Sequence, residues 1–497
     1  MYSDETEQKK LNGHFLILTW NINELKVFTD RLGLRDIYIA KIPHNIILFS
    51  SRIDWLIQLT EAKLNFKEFG SQWLLFNKIS SESIFTNTQR ITAGSSVTIS
   101  RENNSISINK NNWLPALNKN EYLPVDFYNT LEKLITFPLI EEEKISLSLS
   151  GGMDSRVILS FLLKSNSRNW YTHTFGDSNQ PDSIIANRII TDHHIPHEQI
   201  DLPFNSMDEC LKDIKEYIAE TVINNEASAI LQLRNYNKLF VSNQVIIDGG
   251  FGEIWRREFF NRLLLTGHKA LIGKSVKEIV PFLKYHRADI FNDDINNIML
   301  QGCEEQISNT LAELPGIEKI GIENWVDLFA IKTRLVNFYA HEQVRLDSRG
   351  FCYMPFIQPD ILANLFNVSI KNRKNGRLFR KIINRNFNHL TKYPLAKSQL
   401  SYPFWFGSVL SRTWSISAKR LKVKLYHNTG VGKLINTLAP FILDSINSSD
   451  TKECGYYNYP KLLALSNSLT NKDLNDFDMH ELNWLLSFEI FRQNHNI

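Results

Sequence analysis

From Lys144 to Pro203 the chain alternates strand-like runs with helix-periodic ones, and nothing else in its 497 residues constrains the fold as tightly. The order is a strand in KISLSLS (144–150), a helix in DSRVILSFLLKS (154–165), a strand in WYTHTFG (170–176), a helix in PDSIIANRIITDH (181–193) and a strand in HEQIDLP (197–203). A strand followed by a helix before the next strand crosses over instead of turning back as a hairpin. The pattern therefore predicts a parallel sheet with helices packed on it. Such sheets bind ligands beyond the C-terminal ends of their strands.

The first of those strand ends carries Ser150–Ser155, SGGMDS. Gly151 and Gly152 let the main chain turn sharply and approach a ligand closely, because no Cβ stands in the way. The following helix aims its free N–H groups and positive dipole end at the same point, which suits phosphate. Ser150 and Ser155 add hydroxyls. Asp154 makes sense beside phosphate when Mg²⁺ lies between them. The lysine of the G-x-x-x-x-G-K-[ST] phosphate loop is missing, and the hexapeptide instead has the form S-G-G-x-D-S of loops that split ATP between its α and β phosphates.

The rest of the chain divides around this centre. Between Gly13 and Ile108 the runs HFLILTW, DIYIAKI, NIILFSS, QWLLFN and SSVTIS read as strands between polar turns, giving a β-rich region. Clustered Asn, Lys and Pro between Trp113 and Pro124 mark a linker, so we expect one domain over 1–118 and a second over 125–497. FYNTLEKLITFPLI has helical spacing, and beyond about Phe259 the patterns are largely helical.

Charge and composition exclude several classes. Lys+Arg 56 against Asp+Glu 53 leaves +3, so no nucleic-acid or anionic-membrane partner is demanded. Cys210, Cys303, Cys352 and Cys454 are scattered, without a zinc spacing or disulfide density, which fits a reduced cytoplasm. The polar, acidic start MYSDETEQKK lacks the features of a secretory signal, and no apolar run is long enough to cross a bilayer. His193, His194 and His197 sit close together, but Pro196 breaks any helical ligand pair, so His197 is expected at the start of the next strand. The basic stretch SAKRLKVKLYHNTGVGK reads as a solvated helix face.

These motifs, in this order, resemble the asparagine synthetase superfamily, which includes asparagine synthetase B, β-lactam and carbapenam synthetases and lasso-peptide cyclases. YTHTFGDSNQPDSIIANRII is similar to the family's second strand and helix, DGGFGEIWRR to its G-x-G-x-D-E-L-F loop, and GFCYMPFIQPDILANLF to its P-F-L-D segment. RLFRKIINRNF resembles the K-x-L-L-R helix, YPLAKSQLSYPF the lysine loop R-x-K-x-G-F-x-x-P, and NWLLSFEIF the closing helix. The region from Leu11 to about Leu59 is similar to the family's glutaminase domain, an Ntn-hydrolase-like fold that works by an N-terminal cysteine. Here Tyr2 follows Met1 and no cysteine precedes Cys210. We therefore expect a degenerate, β-rich Ntn-hydrolase-like domain, kept for packing or for a partner protein, ahead of a parallel-sheet ATP-pyrophosphatase domain with a helical C-terminal part.

The resemblance implies a ligase that adenylates a carboxylate with ATP and Mg²⁺, releases pyrophosphate and forms an amide. The carboxylate belongs to a small molecule or a precursor peptide. Ser150, Gly151, Gly152, Asp154, Ser155, Thr174, Phe175, Gly249 and Gly250 are then the nucleotide-binding candidates. Asp154 is the first metal-ligand candidate. Gly252 stands where the family's second aspartate belongs, leaving Glu253 or Asp248 as substitutes. Lys397, six residues before Pro403, has the spacing of the catalytic lysine, with Lys392 as competitor. The glutamate expected four residues before Pro355-Phe356 is replaced by Phe351, which argues against aspartate plus ammonia. Cyclising relatives use Tyr with Glu to deprotonate an amine; Tyr353, Tyr339 and Glu342 are the candidates.

Overall fold

The computed structural model describes residues 11–497 apart from 45, 104, 111–112, 116–123, 142, 221, 241–243, 398–399 and 421–429. The chain opens with β1 (Leu16–Trp20), β2 (Glu24–Thr29), β3 (Tyr38–Ile42) and β4 (Ile46–Ser50). Helices α1 (Ile53–Thr60) and α2 (Phe66–Leu74) follow, then β5 (Gln89–Arg90), β6 (Ser96–Ser100) and β7 (Ile106–Asn109). Two antiparallel sheets result, ordered β1-β2-β6-β7 and β4-β3-β5. Val27, Ile37, Ile39, Ile91 and Val97 form the small core between them.

One expected strand is a helix end. Gln72–Leu74 of QWLLFN close α2 instead of forming a strand. Asn65 caps the helix by accepting from the amides of Lys67 and Glu68, and Phe66, Phe69 and Trp73 fall on one helical face. The cap lies seven residues upstream of the apolar run, so the run read alone favoured a strand. Strands β2, β5 and β7 were not among the expected runs.

The second part begins with α3 (Pro124–Ile140), β8 (Lys144–Ser148), α4 (Met153–Lys164), β9 (Trp170–Phe175), α5 (Pro181–His193) and β10 (His197–Ile200). It continues through α6 (Met207–Ala219), β11 (Gln244–Ile247), α7 (Asp293–Glu313), α8 (Ala340–Asp347), β12 (Phe351–Tyr353) and α9 (Arg377–Phe387). A hairpin of β13 (Leu395–Lys397) and β14 (Leu400–Tyr402) follows, and α10 (Ser408–Arg420), α11 (Gly430–Asn447), α12 (Tyr459–Thr470) and α13 (Asp476–His495) close the chain. The main sheet has the order β10-β9-β8-β11-β12 and every pair is parallel. The chain steps outward from β8 to β10 and then returns to β11 on the other side of β8. The order thus reverses between β8 and β11, and their C-terminal loops flank a crevice. Most of the expected linker lies outside the described residues, as does much of the basic stretch after Ser417.

The two parts share cores. Phe66, Phe69 and Trp73 of α2 pack in one apolar cluster with Cys210 and Ile214 of α6 and with Trp484, Phe488 and Phe491 of α13. Gly70 and Gly302 let α2 and α7 touch backbone to backbone, since a Cβ at Gly302 would run into the Lys67 carbonyl. The Asp30 carboxylate accepts from the amides of Leu32 (3.0 Å), Leu34 (3.0 Å) and Arg35 (3.1 Å), and the loop so formed delivers Leu32 and Leu34 into the core of the parallel sheet.

A buried polar network crosses the same boundary. Arg90 donates from Nε to Asp36 (2.7 Å), from Nη1 to Asn337 (2.8 Å) and from Nη2 to the Val336 carbonyl (2.8 Å). His341 Nδ1 lies 2.5 Å from Asp36. Burial disfavours the Asp36 carboxylate, but Arg90 and His341 outweigh it and hold it down at about 2. Burial, with Arg90 and Arg345 nearby, keeps His341 neutral and lowers it to about 4, against the pull of Asp36.

A histidine lowered on folding binds its proton more readily when unfolded. Its contribution to stability is complete above its ordinary value near 6.5 and is lost as pH falls towards 4. His495, buried and lowered to about 4, acts in the same direction. Urea-unfolding midpoints should therefore decline between pH 6.5 and pH 4, and His341→Gln should flatten that decline.

Candidate active site

The loop after β8 owes its shape to glycine and to carboxylate and hydroxyl partners. Asp182, at the start of α5, accepts from the Gly151 amide at 2.8 Å. Ser150 Oγ accepts from the Gly152 amide at 3.1 Å and meets Ser155 Oγ at 3.1 Å. Gly152 is the N-cap of α4 and makes no side-chain cap bond, so the first amides of α4 face the crevice at the positive end of the helix dipole. A Cβ at Gly151 would lie 2.8 Å from Ala396 Cβ, which shows how closely the lysine hairpin packs on the loop.

Arg156 ties the two together. Its side chain is fully buried, and it donates to the carbonyls of Gly151 (3.2 Å), Leu390 (3.3 Å), Tyr393 (2.9 Å) and Pro394 (2.7 Å). The Ala396 amide then donates to the Gly151 carbonyl at 3.0 Å. β13 is thereby docked on the loop, with Lys397 the next residue along the strand. The Lys397 side chain lies outside the described part, and Lys392 is exposed on the turn before the hairpin.

The other wall is the segment after β11. A Cβ at Gly249 would be 3.0 Å from the Ser155 amide nitrogen, so glycine is needed for this loop to lie on the first turn of α4. A Cβ at Gly250 would be 2.7 Å from Met354 Sδ. The Gly250 amide donates to Asp248 Oδ1 at 2.6 Å, and the Asp248 amide to the Tyr353 carbonyl at 3.0 Å. On the β9 side, Thr174 Oγ1 donates to the Leu149 carbonyl (2.7 Å), and the Phe175 carbonyl accepts from Gln180 Nε2 (2.7 Å).

Of the tyrosine and glutamate candidates, the crevice pairs Tyr339 with Glu253, the phenol donating to Oε2 at 3.4 Å. Burial and the Glu253 charge raise the Tyr339 phenol far above its usual range, so it stays protonated and acts as a donor. Glu342 accepts from Arg345 (2.7 Å) and Asn225 (3.2 Å) instead. Burial likewise raises Tyr353, with the Asp360 carboxylate adding to the effect. No hydrogen bond joins Tyr353 to Glu342 among the described residues.

The carboxylates expected to hold Mg²⁺ are engaged differently. Arg256 clamps Asp154 through two bonds, Nε to Oδ1 and Nη2 to Oδ2, both 2.7 Å. Its Nη1 donates to Glu258 at 2.6 Å. A Cβ at Gly252 would lie 2.7 Å from Asp154 Oδ1, so a side chain there would displace Asp154 from this pose. Burial pushes the Asp154 carboxyl up; Arg256 opposes this and Glu253 adds to it. No cluster of three or more His, Cys, Asp or Glu gathers as an ion site among the described residues. As arranged, this donor set does not fit a divalent ion. Arg256 and Arg156 escaped sequence reading, although the pair Arg256-Arg257 directly follows the E-I-W motif.

Two family matches agree with this layout. Residues 3–113 match the glutamine amidotransferase domain family, and residues 128–241 match asparagine synthase. The two matches support a likeness to the asparagine synthetase superfamily with a glutamine amidotransferase-like N-terminal region. The asparagine synthase match supports an ATP-dependent, amide-forming ligase and implies ATP as a partner. No curated protein matches the chain significantly. No helix among the described residues is long and apolar enough to cross a membrane.

If Arg156 welds the loop to the hairpin, Arg156→Lys should keep the charge yet fail to span four carbonyls. We expect a stability loss of about 3 kcal/mol and faster amide hydrogen exchange at Ala396, read by mass spectrometry on the intact chain.

Proposed function

We propose that this chain is an AMP-forming ligase that activates a peptide carboxylate for attack by an amine of the same peptide, as a lasso-peptide or other macrolactam cyclase does, without hydrolysing glutamine. Residues 1–118 are the amidotransferase-like part in this reading, and 125–497 the synthetase part.

The observation that carries the reading is the docking of the lysine hairpin on the phosphate loop through Ala396, Gly151 and Arg156. A protein that only held nucleotide would have no need to tie a lysine-bearing strand to the loop carbonyls. Ser150, Gly151, Gly152 and Ser155 with the first amides of α4 receive the phosphates, Thr174 and Phe175 border the base, and Gly249 and Gly250 let the second loop close on the site. Lys397 stabilises the charge that builds on the α-phosphorus and the departing pyrophosphate. Glu253, oriented by Tyr339, takes the proton from the amine, a pairing the geometry favours over Glu342 with Tyr353.

A peptide substrate is supported by apolar surface next to the hairpin. Trp405, Val409, Leu410 and Trp414 are all exposed there. Phe351, 61% exposed, stands where a glutamate would serve aspartate. The absence of glutaminase activity rests on the first cysteine being Cys210, which is buried in α6 and has its thiol pushed up to about 11 by burial. The clamp on Asp154 favours a second reading, a nucleotide-binding scaffold without turnover.

ATP–pyrophosphate exchange and AMP formation with candidate precursor peptides and with aspartate separate these readings. Lys397→Met should lower kcat on the order of 10²–10³-fold with little change in ATP binding, and Lys392→Met should not. Equal small effects would remove the role of Lys397, and no AMP with any substrate would favour the scaffold. Glutamine should give no glutamate above the no-enzyme control; glutamate formation lost on truncating the first domain would overturn that part of the reading.

A further inference from the structure

Arg256 occupies the place where a cation would neutralise Asp154. Both guanidinium-to-carboxylate bonds are 2.7 Å long, and the two side chains are 13% and 15% exposed. This planar fork uses both carboxylate oxygens, whereas a divalent ion needs them free and turned towards an octahedral shell. Gly252 removes the second carboxylate such a shell would draw on, and its lack of a Cβ is what leaves room for Asp154 in this pose. The remaining guanidinium nitrogen is fixed by Glu258, so the arginine is held from both sides.

The neighbourhood is cationic beyond Arg256. Gly376 lies where its Cβ would be 3.5 Å from Arg256 Cδ, and the next residue, Arg377, opens α9. Arg377, Arg380 and Lys381 line a cleft of about 360 Å³ with Trp405. Arg380 is 7% exposed; its Nε and Nη2 donate to the carbonyls of Asn375 (3.2 Å) and Phe406 (2.8 Å), while its buried Nη1 has no partner.

We propose that Arg256 replaces a protein-held metal ion at Asp154. The phosphates are then held by the amides of α4 and by the cations of α9, and ATP binding does not depend on an ion liganded by Asp154. The inference rests on reading the loop as a nucleotide-phosphate site.

The test uses the full chain and a fluorescent ATP analogue, titrated in EDTA and again in excess Mg²⁺. Wild type should differ by less than about threefold between the two. In Arg256→Ala the bare Asp154 carboxylate repels the phosphates, so affinity in EDTA should fall about tenfold or more and Mg²⁺ should restore it. Arg256→Ala combined with Asp154→Asn should lose that rescue. Arg256→Lys keeps the charge without the fork and serves if the alanine variant does not fold; its affinity in EDTA should lie near wild type. A wild-type requirement for Mg²⁺ that Asp154→Asn abolishes would overturn the proposal. Absence of ATP binding under every condition would instead overturn the ligase reading. Mn²⁺ titration by electron paramagnetic resonance without nucleotide then decides the inference: Mn²⁺ retained by wild type and lost in Asp154→Asn refutes it, and Asp154-dependent retention gained only in Arg256→Ala supports it.

Discussion

Five parallel strands whose order reverses between β8 and β11 set the loops after those two strands on either side of the switch-point crevice at the C-terminal edge of the sheet. Everything assigned to the site hangs on that reversal. It brings Ser150–Ser155 against Asp248–Gly252, and only glycine at 249 and 252 lets the two segments come so close. The N-terminus of α4 is aimed into the gap by the turn at Gly151 and Gly152, and Asp182 fixes that turn from α5.

The N-terminal part is bound into the same body by buried groups of both kinds. Its apolar residues enter two cores built mostly by the second part, one through Leu32 and Leu34 and one through α2. Its charges enter through Arg90, whose guanidinium spans Asp36, Asn337 and the Val336 carbonyl. Cutting the chain between the parts would expose apolar surface and leave buried charges unpaired, which costs far more than losing a surface contact. Asn337 and His341, from the second part, meet this network, and Tyr339 of the crevice lies on the stretch between them. The N-terminal part thus has a structural role in the second part, because it packs the segment that carries Tyr339.

What could be read from sequence follows the range of the interactions involved. The alternation from Lys144 to Pro203 is local in period and appears in the structure as expected, with His197 opening β10. QWLLFN misled because its six residues fit a strand, while the deciding cap sits at Asn65. Arg156 and Arg256 were silent for a different reason. Each acts on partners far along the chain, 102 residues away for Arg256 with Asp154, and no spacing rule links an arginine to a carboxylate at such a distance. The glycine at 252 was visible as a departure, but its consequence, space that Asp154 and Arg256 share, exists only in three dimensions.

The clamp on Asp154 also changes what the rest of the crevice must do. Asp154, Glu253 and Glu258 concentrate negative charge around one guanidinium. Phosphates entering beside them would be repelled unless compensating positive charge were close. The amides of α4 supply part of it through the helix dipole, worth less than a full charge. In the proposed reading the remainder comes from Arg377, Arg380 and Lys381 of α9, which begins one residue after Gly376, itself packed against Arg256.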